Sequence, residues 1–146
     1  MKRIFSCEHE KSAKLILMNK GLKSTPQRLA VIHVLHSCKK YLSIIEILDC
    51  VKELLPKTGL ATIYRTLDMF VELGLIMRLH FLDGCHSYTI SPKDHSHQMV
   101  CTICDTVFNF SDCPVEGLNS SILQQKGFKV NKHFVQLFGE CADCRI

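Results

Sequence analysis

The chain has 146 residues, 47% hydrophobic and 22% charged, with a formal net charge of +4. That is the make-up of a globular protein with one domain or two small ones, and no apolar run approaches the ~18 residues that span a bilayer. Charge is uneven: residues 1–91 hold 13 Lys and Arg against 8 Asp and Glu, residues 92–146 hold 5 against 6, which points to an anionic partner for the first part.

The opening segment Met1–His9 is charged early and lacks an apolar signal core, so a cytoplasmic location is expected. Lys11 to Asn19 reads as a short helix with Ala13, Ile16 and Leu17 on one face and Gly21 as its stop. A second helix starts at Pro26, capped by Thr25, and runs through Leu29, Ile32 and Leu35. Ser43-Ile44-Ile45-Glu46 is a capping box, and Ile44, Ile47, Leu48, Val51 and Leu55 follow at helical spacing until Pro56. A fourth helix begins near Leu60 or Ala61, carries Ile63, Leu67, Phe70 and Val71 inward, and closes at Gly74. The period then changes. Leu75–Leu82 and Cys85–Ile90 are β-rich and flank Asp83-Gly84, a tight-hairpin signal. Helices followed by such a hairpin make a winged helix, with the hairpin as the wing.

Ser91-Pro92-Lys93-Asp94 reads as a linker between a domain at 1–91 and a smaller one at 92–146. In the second part the pattern predicts a strand ending at Cys101, a strand through Val107, Phe108 and Phe110, a helix from about Asp112 to Gly127, and a last strand from Phe128 to Phe138. The fold class is therefore α+β: an N-terminal winged-helix DNA-binding domain, then a small α/β domain built around a zinc site.

That site comes from the cysteines. In a reducing compartment, nine of them argue for metal rather than disulfides. Cys101-Thr-Ile-Cys104 and Cys141-Ala-Asp-Cys144 each present two thiolates about one turn apart, and together they complete a closed four-sulfur set for a structural Zn(2+). Redox-active dithiols are the alternative. The intervening residues 105–140 exceed the ~15–20 of a local ribbon, so the metal is expected to pin the end of the last strand to the start of the domain. Cys38 and Cys50 read as small core residues, and His33 and His36 as partly buried polar groups of the second helix.

With Ile63 turned inward, a step of about 100° per residue carries Ala61, Tyr64, Arg65 and Asp68 outward and leaves Thr62 at the border. That face suits a major groove: Arg65 for guanine or phosphate, Tyr64 for phosphate or a base edge, Ala61 for a thymine methyl. Lys23, Arg28 and Lys57 are candidate phosphate contacts. An ordinary solvated helix face is the other reading.

Four stretches carry a family resemblance. They are Gly21-Leu22-Lys23-Ser24-Thr25-Pro26-Gln27-Arg28, then Gly59-Leu60-Ala61-Thr62-Ile63-Tyr64-Arg65-Thr66-Leu67, then His95-Ser96-His97 running into Cys101-Thr-Ile-Cys104, and Phe138-Gly139-Glu140-Cys141-Ala-Asp-Cys144. In order and spacing residues 21–146 resemble the ferric uptake regulator superfamily of metal-responsive repressors. The resemblance implies a homodimer joined through the C-terminal domain, a double-stranded DNA operator as partner, and repression of metal-homeostasis genes when a regulatory metal is bound. It implies no enzyme activity, no small-molecule substrate and no membrane association.

His95 and His97 lie two apart on a predicted strand, so both imidazoles can face one ion. The wing offers His80, Cys85 and His86 to complete a site that would bridge the domains and clamp them when metal is bound. The family often places a His and two carboxylates where this chain has Tyr41, Thr89 and Asn109. Loss of oxygen donors disfavours Fe(2+) or Mn(2+) and suits a regulatory Zn(2+). Ser111-Asp112-Cys113-Pro114 with Leu118 also resembles the zinc uptake branch. Asp94, Glu116 and His133 match a second sensory position, whose fourth place holds Ser96. An iron- or peroxide-responsive repressor is the alternative on the same fold. A zinc hydrolase is the remote one, since no H-E-x-x-H or comparable motif supplies a general base.

Overall fold

The computed structural model describes residues 8–38, 40–81, 84–92, 95–118, 122–131 and 133–145. It divides into two compact units, Met1–Ser91 and Pro92–Ile146.

The first unit contains α1 (Glu8–Asn19), α2 (Pro26–Ser37), β1 (Leu42–Ser43), α3 (Ile44–Leu54), α4 (Leu60–Glu72), β2 (Ile76–His80) and β3 (His86–Ile90). The helix starts follow from local chemistry. Thr25 Oγ1 accepts from the Arg28 N–H at 3.4 Å with Pro26 just inside the helix. At α3 the Glu46 carboxylate accepts from the Ser43 N–H at 2.8 Å, and Ser43 Oγ accepts from the Glu46 N–H at 3.3 Å. Gly74 ends α4 at φ +71°, the left-handed backbone that glycine adopts without strain. α1 starts three residues before the expected Lys11, with Glu8 and Glu10 in its first turn. Glu10 is buried, and its Oε1 lies 2.9 Å from His33 Nδ1.

Leu17, Val31, Leu35, Ile47, Val51, Ile63, Leu67, Phe70, Ile76 and Tyr88 are among the residues of one continuous core. Cys38 and Cys50 pack against it as the small apolar groups expected. β1, β3 and β2 form an antiparallel sheet in that order. The two-residue β1 is too short to leave a periodic signal in sequence. The hairpin closes through the Phe81 N–H to Cys85 carbonyl bond at 3.0 Å, with Gly84 at φ +80°. Asp83 of the expected turn lies outside the described residues.

The second unit contains β4 (His97–Cys101), β5 (Val107–Phe110), a 3-10 turn (Glu116–Leu118), α5 (Ile122–Gln125) and β6 (Gln136–Gly139). β5 pairs antiparallel and β6 parallel to the central β4. Where the sequence expects a continuous helix from Asp112 to Gly127, the described residues form a 3-10 turn at Glu116–Leu118 and one short helical turn at Ile122–Gln125; a helix that short has little stability of its own. The last strand is four residues rather than the expected run from Phe128, since only Gln136–Gly139 has β4 beside it. Among the described residues of this unit, only Val100 and Cys101 are buried apolar groups. Such a core is too small to hold a domain without help.

Replacing Ser43 with Ala should cost about 1 kcal/mol, read as a fall in unfolding midpoint near neutral pH. Backbone and side-chain bonds from Ser43 lower the Glu46 pKa below its ordinary value. A depressed carboxyl pKa stabilises the fold above the unfolded value and loses that contribution as pH falls through the folded one. The difference between wild type and variant should therefore shrink in acid; a gap that is independent of pH would contradict the reciprocal cap.

Candidate metal centres and nucleic-acid interface

Cys101 ends β4, Cys104 follows in the turn behind it, and Cys141 and Cys144 follow β6. The parallel β4–β6 pairing delivers both pairs to one place, and the Thr102 N–H to Gly139 carbonyl bond at 2.8 Å continues it past the strand ends. All four Sγ atoms lie within 4.8 Å of one another, with Cys104 and Cys141 at 3.8 Å. Sulfurs at the corners of a tetrahedron with arms of ~2.3 Å stand ~3.8 Å apart. The electrostatics suit a cation. The Cys141 N–H, 3.3 Å from Cys101 Sγ, leads a set of backbone donors that pushes the Cys101 thiol down to about 6. The Thr106 hydroxyl, 3.2 Å away, lowers Cys104. Its Cys141 and Cys104 neighbours push Cys144 up instead. Four thiolates cannot share this space unless a positive ion compensates them, and Zn(2+) fits the number, softness and spacing of the donors.

A second cluster lies in the same unit. His95, His97, Cys113 and His133 each offer a ligand atom, all within 4.8 Å of one another. His133 Nε2 is 3.1 Å from His95 Nε2 and 3.2 Å from Cys113 Sγ. His97 is 3% exposed, and its Nε2 is buried with no hydrogen-bond partner among the described residues. An unsatisfied buried nitrogen costs about 1–3 kcal/mol, and a metal ion would satisfy it. Burial lowers the His97 pKa, helped by the positive charge that His95 and His133 can carry and opposed by Glu116. A neutral imidazole is the form that ligates.

The sequence expectation joined His95 and His97 as found, although His95 sits in a bend just before β4. It placed His133 in a separate second site; here His133 belongs with the H-x-H pair. Of its companions there, Asp94 lies outside the described residues, and Glu116 is exposed on the 3-10 turn and is not one of the four ligands. The expected wing ligands belong to the first unit. His80 and His86 face each other across β2 and β3 with ring centroids 4.8 Å apart, and Cys85 beside them is exposed. Cys113 went unassigned as a ligand. The available signal was elimination: Cys38 and Cys50 occupy apolar positions near helices, whereas Cys113 sits in the polar stretch Ser111-Asp112-Cys113-Pro114.

On α4, Ala61, Tyr64, Arg65 and Asp68 are exposed, Thr62 is intermediate, and Ile63, Leu67 and Phe70 are buried. This is the division expected from helical geometry. Arg65 Nε donates to the Ala61 carbonyl at 3.3 Å. Arg65 and Thr62 share a concavity of about 400 Å³ with Thr25, Gln27, Arg28 and Thr66, so the start of α2 and the outward face of α4 border one basic notch. Lys23 and Lys57 are exposed, and the Lys23 carbonyl accepts from Arg28 at 2.5 Å. The sequence reading did not include Thr25, Gln27 and Thr66 in this surface.

The profile of the ferric uptake regulator family matches residues 19–138. The ferric uptake regulation protein of Bordetella parapertussis is 32% identical over 130 residues, covering 88% of this chain and 94% of that protein. The ferric uptake regulator of Helicobacter pylori, a structure described as having three functional metal binding sites, superposes with a TM-score of 0.73 at 25% identity, covering 99% of this chain and 97% of that one. A zinc uptake regulator complexed with zinc and DNA has the same fold, with a TM-score of 0.73 at 24% identity and coverage of 95% and 96%.

Replacing Cys141 with Ser should remove about one tightly held zinc per chain, measured by elemental analysis, and lower the unfolding temperature of the second unit. Unchanged zinc content and unchanged melting would contradict a four-sulfur site.

Proposed function

The chain belongs to the ferric uptake regulator family, and from that premise we propose that it is a cytoplasmic, zinc-responsive repressor of metal-homeostasis genes, acting as a homodimer on a double-stranded DNA operator. Metal-responsive transcriptional regulation is the work of the family. The observation that carries the zinc assignment is the donor set His95, His97, Cys113 and His133. Three imidazoles and a thiolate at tetrahedral scale suit Zn(2+), whereas Fe(2+) and Mn(2+) favour sites richer in oxygen. The four-sulfur site has no open position and serves as the structural zinc.

Binding at the quartet supplies a positive centre that draws the four side chains together. His95 stands four residues beyond Ser91, the last residue of the first unit. Holding it against Cys113 and His133 fixes the chain where it enters the second unit. Metal then favours one spacing of the two recognition helices in the dimer, the one that matches a pseudo-palindromic operator. Arg65, Tyr64 and Ala61 meet base edges and phosphates, and Lys23, Arg28 and Lys57 hold the backbone.

The dimer reading rests on the sheet of the second unit. Phe108, Met99 and Leu137 lie opposite one another on β5, β4 and β6 and are 43%, 40% and 48% exposed. With Phe138 they line an apolar groove of about 410 Å³. A unit with so little interior gains most by covering such a row with its own copy.

A second reading has its own support. The relatives from Bordetella parapertussis and Neisseria meningitidis are named ferric uptake regulation proteins, so iron is the rival signal.

Metal titration separates the two. In protein that keeps its structural zinc, added Zn(2+) should raise DNA affinity at lower free concentration than Fe(2+) or Mn(2+). Cys113→Ala should raise the zinc required by at least the ~10-fold that loss of an outer-shell partner costs. Equal or better activation by iron would replace the zinc assignment with the iron one. Separately, Arg65→Ala should weaken DNA binding by about 1–3 kcal/mol without changing the sedimenting mass, while Leu137→Glu should shift that mass toward the monomer. An Arg65 variant with wild-type affinity would refute the placement of the recognition helix.

A further inference from the structure

The outward face of α4 carries two exposed acidic residues, Asp68 and Glu72, and Asp68 is the one within a turn of Arg65 on the surface read as nucleic-acid binding. Asp68 is exposed and stands three residues after Arg65, so the two are neighbours along the helix. A free carboxylate there would repel phosphates and would also compete for the Arg65 guanidinium. The structure gives Asp68 a different partner: Arg78 of β2 forms an ion pair with it. Arg78 is well seated. It lies directly opposite Tyr88 in the β2–β3 register, its Cζ is 5.5 Å from the Tyr88 ring centroid, and Tyr88 is buried against the core. The cation is therefore held by the wing, and the acid on α4 is drawn to it.

We propose that Arg78 is a positioning residue for DNA binding: by occupying the Asp68 carboxylate it keeps that charge off the DNA-facing surface and leaves Arg65 free to reach the duplex. This rests on the reading of α4 as the recognition helix. An ion pair this exposed contributes little to folding, so its effect should appear in binding. The same contact ties β2 to α4, and with it the wing to the helix that it flanks.

The test uses the full zinc-loaded chain and a duplex recovered by in vitro selection with the wild-type protein. Arg78→Met should weaken binding by roughly 3–10-fold, through released Asp68 acting on Arg65 and on phosphate. Asp68→Asn alone should bind as tightly as wild type or tighter. The double variant Asp68→Asn/Arg78→Met should return to within about threefold of Asp68→Asn, because the charge that Arg78 controls is gone. Thermal unfolding of all three should stay close to wild type. Wild-type affinity in Arg78→Met overturns the proposal. So does a double variant as weak as Arg78→Met, which would mark Arg78 as a DNA contact or a structural residue in its own right. Failure of the wild type to select any duplex removes the recognition-helix reading itself, and the proposal with it.

Discussion

The parallel pairing of β6 with β4 is the contact on which the second unit depends. It joins residues 98–101 to residues 136–139 across a long stretch of chain with few regular elements. Closing such a loop costs entropy, and Val100 and Cys101 offer little burial in return. Cys101 and Cys104 on one side and Cys141 and Cys144 on the other sit at or just beyond the paired ends, where a zinc ion would turn that pairing into a lasting closure. The same closure sets the platform for the second cluster. β4 carries His97 at its first residue and Cys101 at its last, so one strand contributes a residue to each of the two candidate metal clusters.

The two clusters divide the chemistry between them. Four sulfurs in close contact, with Cys101 and Cys104 pushed down, suit a tightly held cation. The His95, His97, Cys113 and His133 set is different. Its ligands come from the segment before β4, from β4 itself, from the loop after β5 and from the approach to β6. Imidazoles tolerate the metal-free state as neutral groups, so this set can fill and empty. A permanent site beside a reversible one is what a metal-responsive switch needs.

The first unit works by other means. Its shape comes from a full apolar core and from capped helix starts. Its outward surface is tuned by charge: the basic notch at Arg28 and Arg65, and the Arg78 guanidinium that removes Asp68 from the same face.

Much of this was legible in the sequence because it rests on short-range rules. Helical spacing at Ile63, Leu67 and Phe70 fixed which side of α4 faces out, and Thr25-Pro26 and Ser43–Glu46 marked helix starts through bonds within one turn. The C-x-x-C pairs declared a four-sulfur site by residue type and spacing alone. What depended on long-range contact was not legible. Nothing local shows that residues 112–127 form no continuous helix, since that outcome turns on packing. His95 and His133 stand 38 positions apart, and Cys113 lies in a polar loop between them. Only the folding of that loop and of the last strand onto β4 makes a single site of residues that the sequence assigned to two places or to none. The sequence determined the kinds of candidate ligand and the helix faces; the tertiary structure decided which candidates come together, because that depends on distances that no spacing along the chain encodes.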